Sequence, residues 1–353
     1  MSKKQILDAL EKRCSLRVAR RILAANGFPK GAGWDQIREK LKDTVVASKA
    51  DFPGLQSALR EILIATDKSV RIFELDAARI ASLRSAVASH SIQQSGVFAT
   101  HFPLPVPANI LANLLPQSPV PVAKIQTPNV TGILFSSVRV IDIREHLNAA
   151  QFGGNLPSGF DEVIGIKKVK VQTFDAVLVS KTLPYAYVLA DAYQDASQAM
   201  RRVLQVSVAD AVNNIVGSTV LSIPSNLLPT VGSLYISGTG EVKNLLYITT
   251  TSSGKTEWMR GSGNCLRNEL GHQAGMAVIG AGFQPYGIEL EWPLDEVEGY
   301  VPRPFLSVLG QYRMTYETNP RLEDATVTGC ATLSEFEFVL KELMLPICGS
   351  KAV

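Results

Sequence analysis

The residues most capable of covalent chemistry stand between Gly261 and Gly282, the most glycine-rich stretch of the chain, which holds Cys265, Glu269 and His272. A thiolate beside an imidazole is a nucleophile with its base, and a loop of free backbone amides can hold an oxyanion. A cysteine-dependent hydrolase built on Cys265 and His272 is therefore one reading. Spacing alone does not bring those side chains together, and cysteine is commonly a small buried apolar residue. Metal chemistry has less support, because His90, His101, His146 and His272 share no ligand spacing with one another or with a cysteine pair. Glu289, Glu291, Asp295, Glu296 and Glu298 crowd around Trp292-Pro293 without the Asp/Asn ladder and glycine of a calcium loop, and read as a solvated face or docking surface. Neither cofactor nor metal is expected, and the balance leans away from an enzyme.

Ser253-Gly254-Lys255-Thr256 resembles the end of a phosphate-binding Walker A loop. Thr249 stands where the first glycine belongs, and Glu257-Trp258-Met259-Arg260 reads as a returning strand rather than the required helix. A hairpin turn is the better expectation.

The sharper signal lies in Phe28-Pro29-Lys30-Gly31-Ala32-Gly33, between two helical stretches. Amides at the start of the helix that opens at Trp34 favour an anion. Lys30, Arg38, Lys40 and Lys42 would surround it, with Arg20 and Arg21 on the preceding helix. Over about fifteen residues, Phe28 to Lys42, the segment resembles the hairpin of helix-hairpin-helix DNA-binding modules, with one extra residue between Pro29 and Gly31. The resemblance implies that the amides of the Gly31–Gly33 turn meet a phosphate.

Composition frames these candidates. The chain has 353 residues, 46% apolar and 19% charged, which suits two or three globular domains. It has no run of eighteen apolar residues, and its start, with Lys3, Lys4, Asp8, Glu11, Lys12 and Arg13, is unlike a signal peptide. Four scattered cysteines fit a reducing compartment, so a cytoplasmic or nuclear location is expected and secretion or a membrane partner is not. The net charge of +3 is unevenly spread: residues 1–90 carry 17 Lys and Arg against 10 Asp and Glu, and residues 91–353 carry 18 against 22.

The elements that must position these residues form an α+β chain. Residues 5–25 read as a helix, followed by helices at Trp34–Leu41, Phe52–Thr66 and Ala77–Ala88, with a short strand at Val70–Leu75. They make a basic helical domain over 1–90. Seven prolines between His101 and Pro128 mark a connector over 91–128. An α+β body fills 129–353, with a possible sub-boundary near 217. Its centre is a meander, Val163–Gln172, Phe174–Ser180 and Tyr185–Ala190, covered by a helix of roughly twenty residues that ends at Gly217. Further strands are expected at Ser218–Ile223, Ser233–Ser237, Val242–Thr251, Thr256–Arg260, Gly287–Trp292, Phe305–Leu309, Tyr312–Tyr316 and Ala325–Thr332, before a last helix at Ser334–Met344.

The charge asymmetry points first to a non-catalytic nucleic-acid-associated protein. Its phosphate contacts would be Arg20, Arg21, Lys30, Gly31, Gly33, Arg38, Lys40 and Lys42, and its body would meet protein partners. The alternatives are a structural or assembly protein with subunit contacts in the strand-rich C-terminal part, and the cysteine hydrolase.

Overall fold

The computed structural model describes residues 2–147, 163–192 and 198–349. In chain order, helices α1 (Lys3–Arg13), α2 (Leu16–Ala25), α3 (Trp34–Lys40), α4 (Thr44–Ser48) and α5 (Phe52–Ala65) precede strand β1 (Lys68–Glu74) and helix α6 (Ala77–Ser89). Short helices α7 (Val97–His101) and α8 (Ala108–Leu111) lead to β2 (Val120–Gln126), β3 (Val130–Leu147), β4 (Val163–Ser180) and β5 (Tyr185–Asp191). Then come α9 (Gln198–Val216), α10 (Leu228–Ile236), β6 (Glu241–Ile248), β7 (Gly254–Trp258), α11 (Leu270–Ile279), β8 (Gln284–Glu291), β9 (Phe305–Leu309), β10 (Ala325–Thr328) and α12 (Leu333–Gly349).

All ten strands form one antiparallel sheet in the order β2-β3-β4-β5-β1-β10-β9-β8-β6-β7. Alternation along each strand gives the sheet two characters. One face carries Val70, Ile72, Ala176, Leu178, Leu189, Ile288, Leu290, Leu306 and Val308. It packs beneath α10 through Val231 and Leu234 and beneath α12 through Phe336, Val339 and Leu343. The other face is apolar only over the β3–β4–β5–β1 half. There Ile133, Phe135, Val177, Val188 and Phe73 meet Leu83 and Val87 of α6 and Val208 and Val212 of α9. That explains why β5 is buried on both sides while β9 alternates. Gly217, in the left-handed region at φ 76°, ends α9 with its N–H donating to Asn213 O.

The sheet crosses the boundary expected at residue 90. β1 is an interior strand, paired with β5 from Lys68↔Asp191 to Glu74↔Tyr185 and with β10 on its other side. The helices before it keep a core of their own, Leu10, Val18, Ile22, Phe28, Ile37, Leu55 and Leu59 among them. The long first helix is two, α1 and α2, because Ser15 caps α2 by accepting from Val18 N–H. The proline-rich connector contains the edge strand β2, and Pro121 sits at the register shift between Pro121 and Ala123.

The segment expected as a strand at Ser233–Ser237 belongs to α10. Pro229 opens that helix, and Val231 and Leu234, three residues apart, share its buried face. Ser218–Ile223 is not a strand, and Tyr312–Tyr316 is a 3₁₀ turn.

Candidate functional site

The basic corner between α2 and α3 is largely satisfied by its own chain. Arg20 donates to the carbonyls of Gly31 at 3.0 Å and Ala32 at 2.5 Å, and Lys40 Nζ donates to Lys30 O at 2.7 Å. Arg21 is buried, donates to Gly329 O at 3.1 Å and pairs with Glu335. Arg38 sits between Asp8, at 2.9 Å, and Glu11, and its hydrogen bond to Glu11 pushes its pKa up. Lys42 pairs with Glu39, while Lys30 lies over the Tyr300 ring at 5.4 Å. Of the turn amides, Ala32 N–H donates to Gln36 Oε1 at 2.6 Å. Gly31 is required by packing, because a Cβ there would lie 2.7 Å from Ile37 Cγ1. Gly33 precedes α3 in extended backbone with open space around it.

Part of the charge asymmetry along the chain is taken up by ion pairs between its front and its remainder. Arg13 meets Asp191 at 3.0 Å, Arg17 meets Glu291 at 3.4 Å, Arg21 meets Glu335, and Arg71 meets Asp324 at 2.7 Å. In each pair the cation comes from the basic front and the carboxylate from the acidic remainder.

The glycine-rich segment forms α11, capped by Glu269, which accepts from Gly271 N–H and His272 N–H. Cys265 and His272 do not pair. Cys265 Sγ accepts from Val242 N–H at 3.3 Å, whereas His272 Nδ1 lies 2.6 Å from Glu257 Oε2 and Nε2 lies 2.8 Å from the Tyr235 hydroxyl. Glu257 also accepts from Tyr247. Burial pushes the Tyr235 hydroxyl up, so this carboxylate–imidazole–phenol chain holds a protonated phenol, not an activated one. Of the acidic group, Glu291 is buried among Arg303, Arg17 and Lys243, and Glu289 accepts from Asn244 and Ser307; Asp295, Glu296 and Glu298 are exposed. Among the described residues no group of three or more His, Cys, Asp or Glu is placed to hold a metal ion, and no helix is long and apolar enough to cross a membrane.

What the sequence reading missed is the length of the β3–β4 pair. The two strands stay in register from Val130↔Ser180 to Leu147↔Val163, yet β2 covers only residues 131–136 and β5 only residues 176–179. The eleven pairs from Ser137↔Thr173 outward therefore have no third strand beside them, and the outer eight, from Val140↔Lys170, form a two-stranded ribbon about 25 Å long. One side of it, with Ile141 and Ile143, is half-buried and roofs a cavity of about 390 Å³ beside Arg13, Cys14, Asp67 and Asp191. The opposite side exposes Val140, Ile164 and Ile166, the last at 64%. Arg144, Lys167 and Lys168 on the ribbon have no partner among the described residues, and neither do Asp142 and Glu145. The readable signal was the alternation of Val169 and Val171 against Lys168 and Lys170.

A buried polar cluster fixes the root of the ribbon. Lys68, 1% exposed, donates to Phe174 O at 2.6 Å and pairs with Asp191. Asp191 also takes Arg13 and, at 2.7 Å, Phe174 N–H, while Arg139 on β3 pairs with Asp175 on β4. Burial opposes ionisation of Asp191, but Lys68 and Arg13 hold its carboxyl below the usual range. Burial pushes Asp175 up, and more than Arg139 offsets. Asp67, in the left-handed region at φ 46°, is also raised by burial, with Gly329 N–H acting against it. Burial and the neighbouring Asp67 push the Cys14 thiol up to about 12. The cluster thus contains no poised thiolate, and its charges are spent on position. No family model matches the chain, and no curated protein matches it.

Proposed function

We propose that the protein is a non-catalytic subunit of a protein assembly, joined to further copies of itself through the β3–β4 ribbon. The observation that carries this reading is the uncovered length of the ribbon, eight residue pairs with Val140, Ile164 and Ile166 on the open side. An isolated two-stranded hairpin is marginal in water, and exposed β-branched residues on paired strands favour another chain. The surrounding charges, Arg144, Lys167 and Lys168 with Asp142 and Glu145, are of both signs. That mixture suits a protein surface better than a phosphate backbone, which favours a one-signed stripe.

Nucleic-acid association is the second reading, supported by three cations, Arg144, Lys167 and Lys168, that have no partner among the described residues; its contact surface then lies on the ribbon instead of the α2–α3 corner. Two variants separate the readings. Ile164→Asp with Ile166→Asp lowers the mass measured by light scattering if copies associate through the ribbon. Arg144→Ala, Lys167→Ala and Lys168→Ala together abolish duplex binding, and flatten its salt slope by about 0.9 per lost phosphate contact, if nucleic acid is the partner. A monomeric chain that binds duplex through those cations overturns the assembly reading.

A further inference from the structure

The Ser253-Gly254-Lys255-Thr256 segment closes the β6–β7 hairpin, and β7 is the last strand at one edge of the sheet. Edge strands present unpaired N–H and C=O groups and are usually protected. The opposite edge is: β2 carries Pro121 with a register shift beside it, and Pro119 precedes it. β7 has no proline, keeps unbroken register with β6 from Gly254 to Trp258, and has four of its five residues exposed.

The hairpin's hydrogen bonds fix which groups point outward. Thr249 N–H donates to Ser253 O at 3.2 Å, and Met259 N–H donates to Lys243 O at 2.8 Å. Residues 253, 255, 257 and 259 therefore turn their main chain toward β6, and Gly254, Thr256 and Trp258 turn theirs away from the sheet. A second β7 laid antiparallel about Thr256 meets this edge with matched chemistry at every position. Thr256 faces its own copy, and Gly254 faces Trp258 of the second copy. These three hydrogen-bonded pairs exchange two N–H···O=C bonds each.

Between them, Lys255 faces Glu257 of the second copy at the non-hydrogen-bonded positions, where side chains approach most closely. Lys255 has no partner among the described residues. Glu257 keeps its bonds to His272 and Tyr247 and retains free lone pairs for a lysine. On the other face Trp258 is 66% exposed. Tyr312, whose ring carbon lies 3.0 Å from the place of a Gly254 Cβ, already covers that glycine, and with Tyr316 it offers the ring from the second copy an aromatic surface to pack against.

The geometry points to a twofold dimer in which β7 pairs with β7 of a second copy, centred on Thr256, so that one sheet runs through both chains. The inference deepens the assembly reading and rests on it only in taking the partner to be a second copy; it does not need the ribbon. Five residues per strand make an interface below about 1,000 Å², so the dimer is weak and concentration-dependent.

The test uses the full chain carrying Ile164→Asp and Ile166→Asp, which removes the ribbon contact, followed by sedimentation up to about 200 µM, where a dimer this weak is populated. A concentration-dependent dimer is expected. Lys255→Glu places like charges opposite each other twice and raises the dissociation constant by about tenfold or more. Thr256→Pro removes an outward N–H while leaving the β6 ladder intact, and yields a monomer whose circular dichroism is unchanged. Thr256→Cys forms a disulfide across the axis on mild oxidation, since paired Cα atoms lie about 5.5 Å apart. Lys255→Cys does not, because its two copies are offset by two positions, about 8 Å or more. A monomer at all concentrations, undiminished dimerisation of Lys255→Glu, or equal cross-linking at both positions overturns the inference. If the ribbon reading alone is wrong, the aspartate pair leaves the wild-type mass unchanged and Thr256→Pro still lowers it.

Discussion

Replacing Lys68 with methionine tests whether the buried polar cluster holds the root of the ribbon. Methionine matches the length of the lysine stem and restores packing at a site 1% exposed. What is lost is the pair with Asp191 and the bond to Phe174 O. Removing one partner of a buried pair costs about 3–5 kcal/mol, because the other charge stays buried. Asp191 keeps Arg13 and Phe174 N–H, which places the expected loss near the lower end, about 3 kcal/mol. Urea unfolding reads it as a lower midpoint at unchanged slope. Adding Asp191→Asn removes the stranded charge, so the double variant loses less than the sum of the single losses, by about 1–2 kcal/mol. The pH dependence follows from the lowered carboxyl of Asp191. Its stabilisation is present above the unfolded value of about 4 and is lost as pH falls below that toward the folded value. A loss under about 1 kcal/mol, or strict additivity, would refute the role given to the cluster.

Other substitutions probe the remaining parts. Asp67→Asn keeps a residue type that tolerates the left-handed backbone. Because the folded carboxyl is raised, ionised Asp67 costs stability above its folded pKa, and that cost fades as pH falls toward about 4. The variant is therefore more stable at pH 7, and its advantage shrinks on acidification; a constant difference by urea melts counts against this. Gly31→Ala costs about 1–3 kcal/mol through the Ile37 contact, whereas Gly33→Ala stays within about 0.5 kcal/mol, and equal losses contradict the packing argument. Iodoacetamide modifies half-buried Cys265 and Cys348 before Cys14, whose raised pKa and burial protect it, and before buried Cys330; mass spectrometry showing Cys14 first would be contrary.

The α+β class, the helix ending at Gly217 and the strand Phe305–Leu309 were legible because each rests on local periodicity. The two meander strands expected at Val163–Gln172 and Phe174–Ser180 are one continuous strand, β4, whose unbroken pairing with β3 across Thr173 no local pattern shows. Position in the sheet was not. Val70 and Ile72 look like a short strand of a helical domain until Leu189 and Ala325, far along the chain, are found beside Val70. Tyr235 and Ile236 favour a strand by propensity, and the packing of Val231 and Leu234 on the sheet overrides it. The glycine-rich run concealed α11, whose cap Glu269 looked like a catalytic candidate. The excess of Lys and Arg in residues 1–90 is plain in the sequence, but Asp191, Glu291, Glu335 and Asp324 lie too far along the chain for local pattern to pair them with Arg13, Arg17, Arg21 and Arg71.

The assembly reading is tested most directly by light scattering on the wild-type chain beside the Ile164→Asp, Ile166→Asp variant, from about 1 to 200 µM, the range that spans weak association. The wild-type mass is expected to rise above 38.2 kDa with concentration, and the variant to stop at or below the dimer, about 76 kDa. A mass of 38.2 kDa for both chains at every concentration would contradict it.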